Sequence, residues 1–245
     1  MNLGLVVLIS LAAGAVINFF ADALPRDTLR PVCMFCGKPL SWGEYARWWR
    51  PCPHCGKTRW RHGVVLALMV AAGAFLWLYP LGWGFWPMWA LSVYALAVIV
   101  MDVEHHLILN EVSAVGAVLG AALGIWRHGL VPTLLGGLAG AGVMLLLYLL
   151  GNAYAVWKAK RAGEPRPEEP ALGFGDVTLM GALGLLLGWP GMLAGLTLAI
   201  FLAGAFSVLF LLYGFVRWRR LRLDAYIPYG PFLILGALWA ILLAK

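Results

Sequence analysis

The feature that most restricts the fold of this chain is a series of eight apolar runs, each near the length of a membrane-crossing helix. A helix needs about 20 mostly apolar residues to span the hydrocarbon core of a bilayer. The composition agrees, since 62% of the 245 residues are hydrophobic and only 12% are charged, unlike a soluble domain. We therefore predict an all-α, polytopic membrane protein with about eight transmembrane helices. The runs are 3–24, 63–80, 84–102, 112–126, 130–150, 176–189, 190–216 and 226–244.

The first run has a second interpretation, as a secretory signal peptide, because Ala21-Asp22-Ala23 resembles a small-residue cleavage site. Signal peptides begin with positive charge, whereas only Met1 and Asn2 precede this run. We therefore expect the run to be a permanent transmembrane helix.

Basic residues cluster in the segments 25–62, 151–171 and 217–225. Of the 18 Lys and Arg residues, only Arg127 and Lys245 lie elsewhere. Because short basic loops stay on the cytoplasmic side of a membrane, we expect these three segments in the cytoplasm. This bias and contact with anionic lipid headgroups explain the net charge of +7. No nucleic-acid-binding motif accompanies it, so we expect membrane lipids, and no nucleic acid, as partners.

Two aspartates at the ends of apolar runs are the candidate catalytic residues. The predicted topology puts Asp102 at the end of the third helix and Asp176 at the start of the sixth, both near the cytoplasmic face. One such carboxylate could be an ordinary interfacial residue, but carboxylates at membrane depth usually mark a functional site. Two that share a proton can activate a water for peptide hydrolysis. The nearby residues expected to be solvated are Glu104, His105, His106 and Glu111.

The surroundings of Asp176 lead to two further expectations. Gly173 and Gly175 flank Phe174, and glycine lets the backbone approach the carboxylates or a substrate closely, although both could serve helix packing alone. A helix N-terminus stabilises an anion and a C-terminus opposes it. We therefore expect Asp176 to be the charged partner and Asp102 to hold the proton. A small-residue packing face is expected at Gly116, Gly120 and Gly124.

All four cysteines lie in two C-x-x-C pairs, each followed by glycine. This spacing predicts a tetrahedral zinc site, and the glycine suits a tight turn that aims backbone N–H groups at sulfur. Disulfides are the alternative, but a cytoplasmic loop keeps thiols reduced. Because four thiolates close the coordination shell, we expect the zinc to be structural, with His54 and His62 exposed. The expected ligands are Cys33, Cys36, Cys52 and Cys55.

These features predict a division of the chain into three parts. Residues 1–30 would form the first transmembrane helix and its exit, and 31–62 a small cytoplasmic zinc-binding loop domain. Residues 63–245 would form a seven-helix membrane core, with a cytoplasmic loop at 151–171.

Five segments in order resemble the type IV prepilin peptidases, which belong to the GxGD intramembrane aspartyl proteases. Any one segment alone would be a common pattern, but five in this order are specific to the family. The segments are Gly14 to Pro25 (GAVINFFADALP), the two C-x-x-C pairs, Asp102 to Asn110 (DVEHHLILN), Gly173 to Asp176 (GFGD) and Ile227 to Phe232 (IPYGPF).

The resemblance implies a bifunctional enzyme of the bacterial-type inner membrane with its active site facing the cytoplasm. It would remove the basic leader of a prepilin or pseudopilin substrate after a glycine, as in type IV pilus or type II secretion systems. It would then methylate the new N-terminal residue. Asp102 and Asp176 would form the peptidase dyad. S-adenosylmethionine would donate the methyl group, and the zinc loop is associated with that second activity.

The sequence leaves several properties of such an enzyme open. No glycine fingerprint identifies the residues that bind the methyl donor, so the cofactor-binding residues are unknown. The secretion or pilus system that supplies the substrate and the oligomeric state are likewise unassigned.

Three residues depart from the family's pattern. Leu109 stands where a proline usually precedes the position of Asn110, Thr178 where a lysine often follows the G-x-G-D run, and Ala23 where an arginine often precedes Leu24-Pro25. Because none of them removes a carboxylate, the departures bear on local loop geometry and substrate preference rather than on the reaction class.

Other functions stay open at the level of sequence: a peptidase without methyltransferase activity, a proton-coupled transporter, or a zinc-stabilised scaffold without catalysis. Transporters commonly show internal repeats and a midplane site, whereas this sequence has no convincing repeat and both aspartates lie toward one face. A scaffold leaves the acid pair unexplained. Glu164, Glu168 and Glu169 are expected either to guide the basic leader or to form part of a solvated linker.

Overall fold

The computed structural model describes residues 2–163, 165, 170, 172–218 and 228–243. Contacts between residues divide the chain into two compact units, Met1–Met101 and Asp102–Lys245. The three-part functional division predicted from the sequence places its boundaries elsewhere and stays a prediction. The expected guiding residues Glu164, Glu168 and Glu169, most of the 217–225 loop and Ile227 lie outside the described residues.

Each of the eight apolar runs contains a helix. A short additional helix, α2 (Trp42–Ala46), lies in the cysteine-containing segment. In the described residues, the helices of the eight runs are α1 (Leu3–Ala23), α3 (Trp60–Leu78), α4 (Phe85–His105), α5 (Asn110–His128), α6 (Leu130–Ala162), α7 (Phe174–Leu187), α8 (Gly191–Trp218) and α9 (Gly230–Leu243).

Within the described part of the chain, five helices are long and apolar enough to cross a membrane: α1, α3, α4, α6 and α8. The helices α7 and α9 are apolar but have only 14 residues each. A 14-residue helix rises about 21 Å, less than the roughly 30 Å of a bilayer's hydrocarbon core. The chain is therefore an integral membrane protein of several helices, and the count of eight crossings stays a prediction.

The end of α6 differs from the sequence prediction. The segment 151–171 was expected to be a loop, but α6 continues to Ala162 and stops at Gly163, whose φ is +71°. Residues 151–162 lack proline and are rich in alanine and lysine, which favour helix in or out of a membrane. Hydropathy marks where an apolar run ends, not where a helix ends, so the predicted loop is wrong over 151–162.

The first compact unit is built on α1 and α3, which pack against each other. Glycines allow the close approach: a Cβ at Gly14 would lie 3.1 Å from the Leu66 side chain, and one at Gly73 would overlap Ser10. The segment between these helices contains the four cysteines and α2. A capping box closes the start of α2, in which Ser41 and Glu44 satisfy each other's backbone N–H groups.

The second unit is organised around α7, which contacts α5, α6, α8 and α9. A helix that is apolar on every side is a buried helix, and α7 fits this rule. A side chain at Gly120 or Gly124 of α5 would collide with the α7 backbone, so the predicted small-residue face is confirmed at those two positions. Tight packing on several sides fixes the N-terminus of α7, where Asp176 lies.

Candidate active site

Asp102 lies in the last turn of α4 and is buried, with 4% of its surface exposed. The helix ends three residues later, where His106 adopts a left-handed conformation with φ +52°. The backbone N–H of His106 donates to the carbonyl of Asp102 at 3.0 Å. After this turn the chain leaves the helix, and Leu107 and Ile108 line the same cavity as the Asp102 carboxylate.

Asp176 lies in the first turn of α7 and is also buried, with 6% of its surface exposed. Gly175 lets the start of α7 pack against the loop that follows Asp102. A Cβ at Gly175 would lie 2.8 Å from the Cβ of Ile108 and 3.1 Å from its carbonyl oxygen. The close packing at Gly175 is therefore against the loop that follows Asp102, and a close approach to the carboxylates or to a substrate stays a prediction.

The two carboxylates line the same cavity, whose volume is about 720 Å³. Residues separated by more than seventy positions thus converge, as a two-aspartate site requires; their catalytic role stays a prediction. His105 and His106 were expected only to be solvated. His106 is exposed and His105 half-buried, but both also line this cavity. The other lining residues are Leu107, Ile108, Pro170, Gly173, Phe174 and Gly175.

A contact that the sequence argument missed holds Asp102. The backbone N–H of Gly230, at the start of α9, donates to Oδ2 of Asp102 at 2.9 Å in a buried setting. A hydrogen bond to a charged group contributes about 1.5–3 kcal/mol, whereas a helix terminus contributes about 0.3–1 kcal/mol. The contact therefore works against the expectation that Asp102 holds the proton, which was based on helix termini alone.

The four cysteine sulfurs lie within 4.8 Å of one another, and all four cysteines are free thiols. Sγ of Cys33 lies 3.8 Å from Sγ of Cys55. In a tetrahedral site with zinc–sulfur distances of about 2.3 Å, neighbouring sulfurs are about 3.8 Å apart. The set therefore fits a structural zinc ion, as the sequence spacing predicts.

The two C-x-x-C pairs have matching local geometry. Gly37 and Gly56 have φ of +68° and +70°, and their N–H groups each donate at 2.8 Å to the carbonyl of the first cysteine in the pair. Burial raises the pKa of Cys52, but hydrogen bonds from the backbone N–H groups of His54 and Cys55, together with those of the Cys33 and Cys55 thiols, bring the pKa to about 7. The predicted tight turns, with N–H groups aimed at sulfur, are therefore present.

Residues 89–208, which include both aspartates, match the type IV leader peptidase family. Over these residues the chain is similar to this family. A prepilin leader peptidase/N-methyltransferase from Pectobacterium carotovorum subsp. carotovorum is 27% identical over 236 residues, which cover 82% of this chain and 77% of the relative. No solved structure matches the chain. The resemblance to type IV prepilin peptidases is confirmed.

One departure from the leader peptidase pattern, Thr178, has a structural role. Its Oγ1 donates to the carbonyl of Gly175 at 2.9 Å and lies 2.9 Å from Oγ of Ser113. Where relatives often carry a lysine after the G-x-G-D run, this chain thus has a polar link between α5 and α7. The link stabilises the first turn of α7, which carries Asp176.

A buried ionic cluster in the first unit also escaped the sequence argument. Asp22 is fully buried; Arg61 donates to its Oδ1 at 2.6 Å and Tyr45 to its Oδ2 at 2.7 Å. Nε2 of His62 lies 2.9 Å from the same Oδ2, so the prediction that His62 is exposed is wrong. The only signal in the sequence was an acidic residue inside the first apolar run, which needs a partner when buried. The cluster ties α2 to α1 and α3.

Proposed function

We propose that this chain is an aspartic endopeptidase that cleaves the leader of type IV prepilin-like substrates on the cytoplasmic side of the membrane. The observation that carries the proposal is the meeting of Asp102 and Asp176 in one cavity. The match to the type IV leader peptidase family supports the substrate class, and the basic bias of the loops supports the cytoplasmic orientation.

The two aspartates supply the groups that peptide hydrolysis needs. The charged carboxylate accepts a proton from a water as the water oxygen bonds to the scissile carbonyl carbon, while the neutral carboxyl donates its proton to the carbonyl oxygen. The tetrahedral intermediate then breaks its C–N bond as a proton passes to the leaving nitrogen. Because the two groups share one proton, their titration belongs to the pair.

The cavity has room for a segment of extended peptide around the scissile bond. Leu107, Ile108 and Phe174 give it an apolar wall, and the two histidines give it polar groups near the carboxylates. Phe174 is exposed, and its ring contacts that of Tyr148 at a centroid distance of 5.8 Å. These side chains would hold the residues on either side of the bond that is cleaved.

N-methylation of the new N-terminus, with S-adenosylmethionine as donor, is the second activity that we propose. Its support is the name of the Pectobacterium relative. The four cysteines would hold a zinc ion that stabilises the loop and supplies no open coordination position for the reaction. The described residues assign no binding site to the methyl donor, so a peptidase without this activity is the alternative.

Mass spectrometry of a prepilin incubated with the purified, reconstituted protein tests the proposal. We expect loss of the leader, and a further gain of one methyl group when S-adenosylmethionine is present. The matched control is the same prepilin with the glycine before the scissile bond replaced by valine, which should stay uncut. Cleavage without methylation would support the peptidase alone, and an uncut natural substrate would contradict the proposal.

A further inference from the structure

We infer that the backbone N–H of Gly230 makes Asp102 the charged member of the aspartate pair and leaves the shared proton on Asp176. This reverses the roles expected from the sequence. Its catalytic meaning rests on the proposed function, but the location of the proton is a property of the folded protein that can be measured without any substrate.

Burial disfavours the charged form of both carboxyl groups, and the contact with Gly230 offsets part of that cost at Asp102. The Gly230 N–H can only donate, and a carboxylate offers both of its oxygens as acceptors, whereas a protonated carboxyl has one oxygen committed as a donor. The hydrogen bond is 2.9 Å long and buried, where the loss of a donor to an anion is expensive. The His106 imidazole also lies close enough to interact with the Asp102 charge.

Asp176 has no comparable donor among the described residues. The N–H of Gly173 approaches Asp176 and favours its charged form. Burial and the charge of Asp102 disfavour that form, and their effect is larger. Within the described part of the chain, the titratable groups around the pair are His105 and His106 at the end of α4 and Tyr229 before α9, whose phenol interacts with the Asp176 charge. None of these is a fixed cation that would hold Asp176 in the charged form.

Helix termini separate the two aspartates less than their positions in the sequence suggest. Asp176 lies in the first turn of α7, and Asp102 accepts a hydrogen bond from the first residue of α9. Each carboxyl therefore lies at the positive end of one helix, and Asp102 also lies in the last turn of α4, whose C-terminus opposes its charge. That opposition is weaker than a direct hydrogen bond to a charged group. What distinguishes them is the direct hydrogen bond to Asp102.

Glycine is required at position 230 for this contact. A Cβ there would lie 2.6 Å from Oδ2 of Asp102 and 3.1 Å from its Cγ, so any side chain would push the carboxylate off its donor. Gly230 is therefore a positioning residue. In the proposed reaction, Asp102 would accept the proton of the attacking water, and Asp176 would donate its proton to the carbonyl oxygen.

Infrared titration of protein labelled with ¹³C-aspartate tests the inference. The variants Asp176→Asn and Asp102→Asn each retain one member of the pair. Subtracting the spectrum of the double variant from the spectrum of each single variant removes the signals of all other aspartates. We expect the carboxylic-acid band of Asp102 to disappear at least one pH unit, about tenfold in proton concentration, below that of Asp176. Coincident midpoints or the reverse order would overturn the inference, even if prepilin cleavage had been demonstrated.

A glycine substitution tests the cause. In the Asp176→Asn background, Gly230→Ala should move the disappearance of the Asp102 band to higher pH. The matched control is Gly142→Ala in α6, where an added Cβ meets no atom within 4 Å, and which should leave the band unchanged. An unchanged midpoint in a folded Gly230→Ala protein would contradict the role of the N–H; if that variant does not fold, the comparison of the two aspartates decides the inference.

Discussion

Replacement of Asp102 or Asp176 by asparagine is expected to lower kcat/KM for leader cleavage at least about a thousandfold. Asparagine keeps the size of the side chain but cannot take a proton from water or supply one to the carbonyl oxygen. A single positioned acid or base contributes about 10²–10⁴ to a rate, and loss of one member disables the shared-proton mechanism. For the same reason the double variant should be little worse than either single variant.

The matched control for these variants is Asp27→Asn. Asp27 is exposed and has a left-handed backbone with φ +50°, a conformation that asparagine tolerates. Its cleavage rate should equal that of the wild type. Thermal unfolding of all three proteins separates lost chemistry from lost folding. Retention of substantial cleavage by either catalytic variant would remove the basis for a dyad.

Zinc binding is the prediction with the next largest effect. We expect one zinc ion for each chain by atomic emission, and none in Cys33→Ser. The loop's small core consists of Cys33, Leu40, Tyr45 and Cys52, so two of its four buried residues are proposed ligands. Structural zinc contributes about 10 kcal/mol or more to the folding of small domains. A core of this size supplies less than that by itself.

Loss of the metal should therefore unfold the loop locally. In Cys33→Ser, or after chelation, trypsin should cut within residues 31–59. In the metal-bound protein the same residues should resist trypsin. His54→Ser is the control, because His54 is exposed and lies between two of the cysteines but is not one of the four potential metal ligands. Full zinc retention by Cys33→Ser, or its loss from His54→Ser, would contradict the four-cysteine site.

The helices and the candidate residues of the site could be predicted because they depend on local patterns. Apolar runs near 20 residues long specify helices in a bilayer, and two carboxylates stand out at the ends of such runs. The clustering of the four cysteines follows from the spacing within each C-x-x-C pair. The ends of the helices were less predictable. The apolar runs predicted an end at residue 150 and a start at residue 63, whereas α6 continues through polar residues to Ala162 and α3 begins at Trp60.

The contacts that the sequence could not supply all join distant residues. The Gly230 N–H is hydrogen-bonded to Asp102 although 128 positions separate the two residues. Asp22 contacts His62, which lies 40 positions further along the chain. No periodicity encodes such pairings, because they depend on how whole helices pack. The roles expected of Asp102 and Asp176 were argued from the helix end that each occupies in sequence. The N-terminus of α9, which changes that argument, is brought there only by folding.

The most direct test of the central claim is a structure of the protein with a hydroxyl-containing analogue of the tetrahedral intermediate. If Asp102 and Asp176 act together on one water, the hydroxyl of the analogue should lie about 2.6–3.2 Å from a carboxylate oxygen of each. An analogue that inhibits cleavage while its hydroxyl contacts only one aspartate, or neither, would contradict the account.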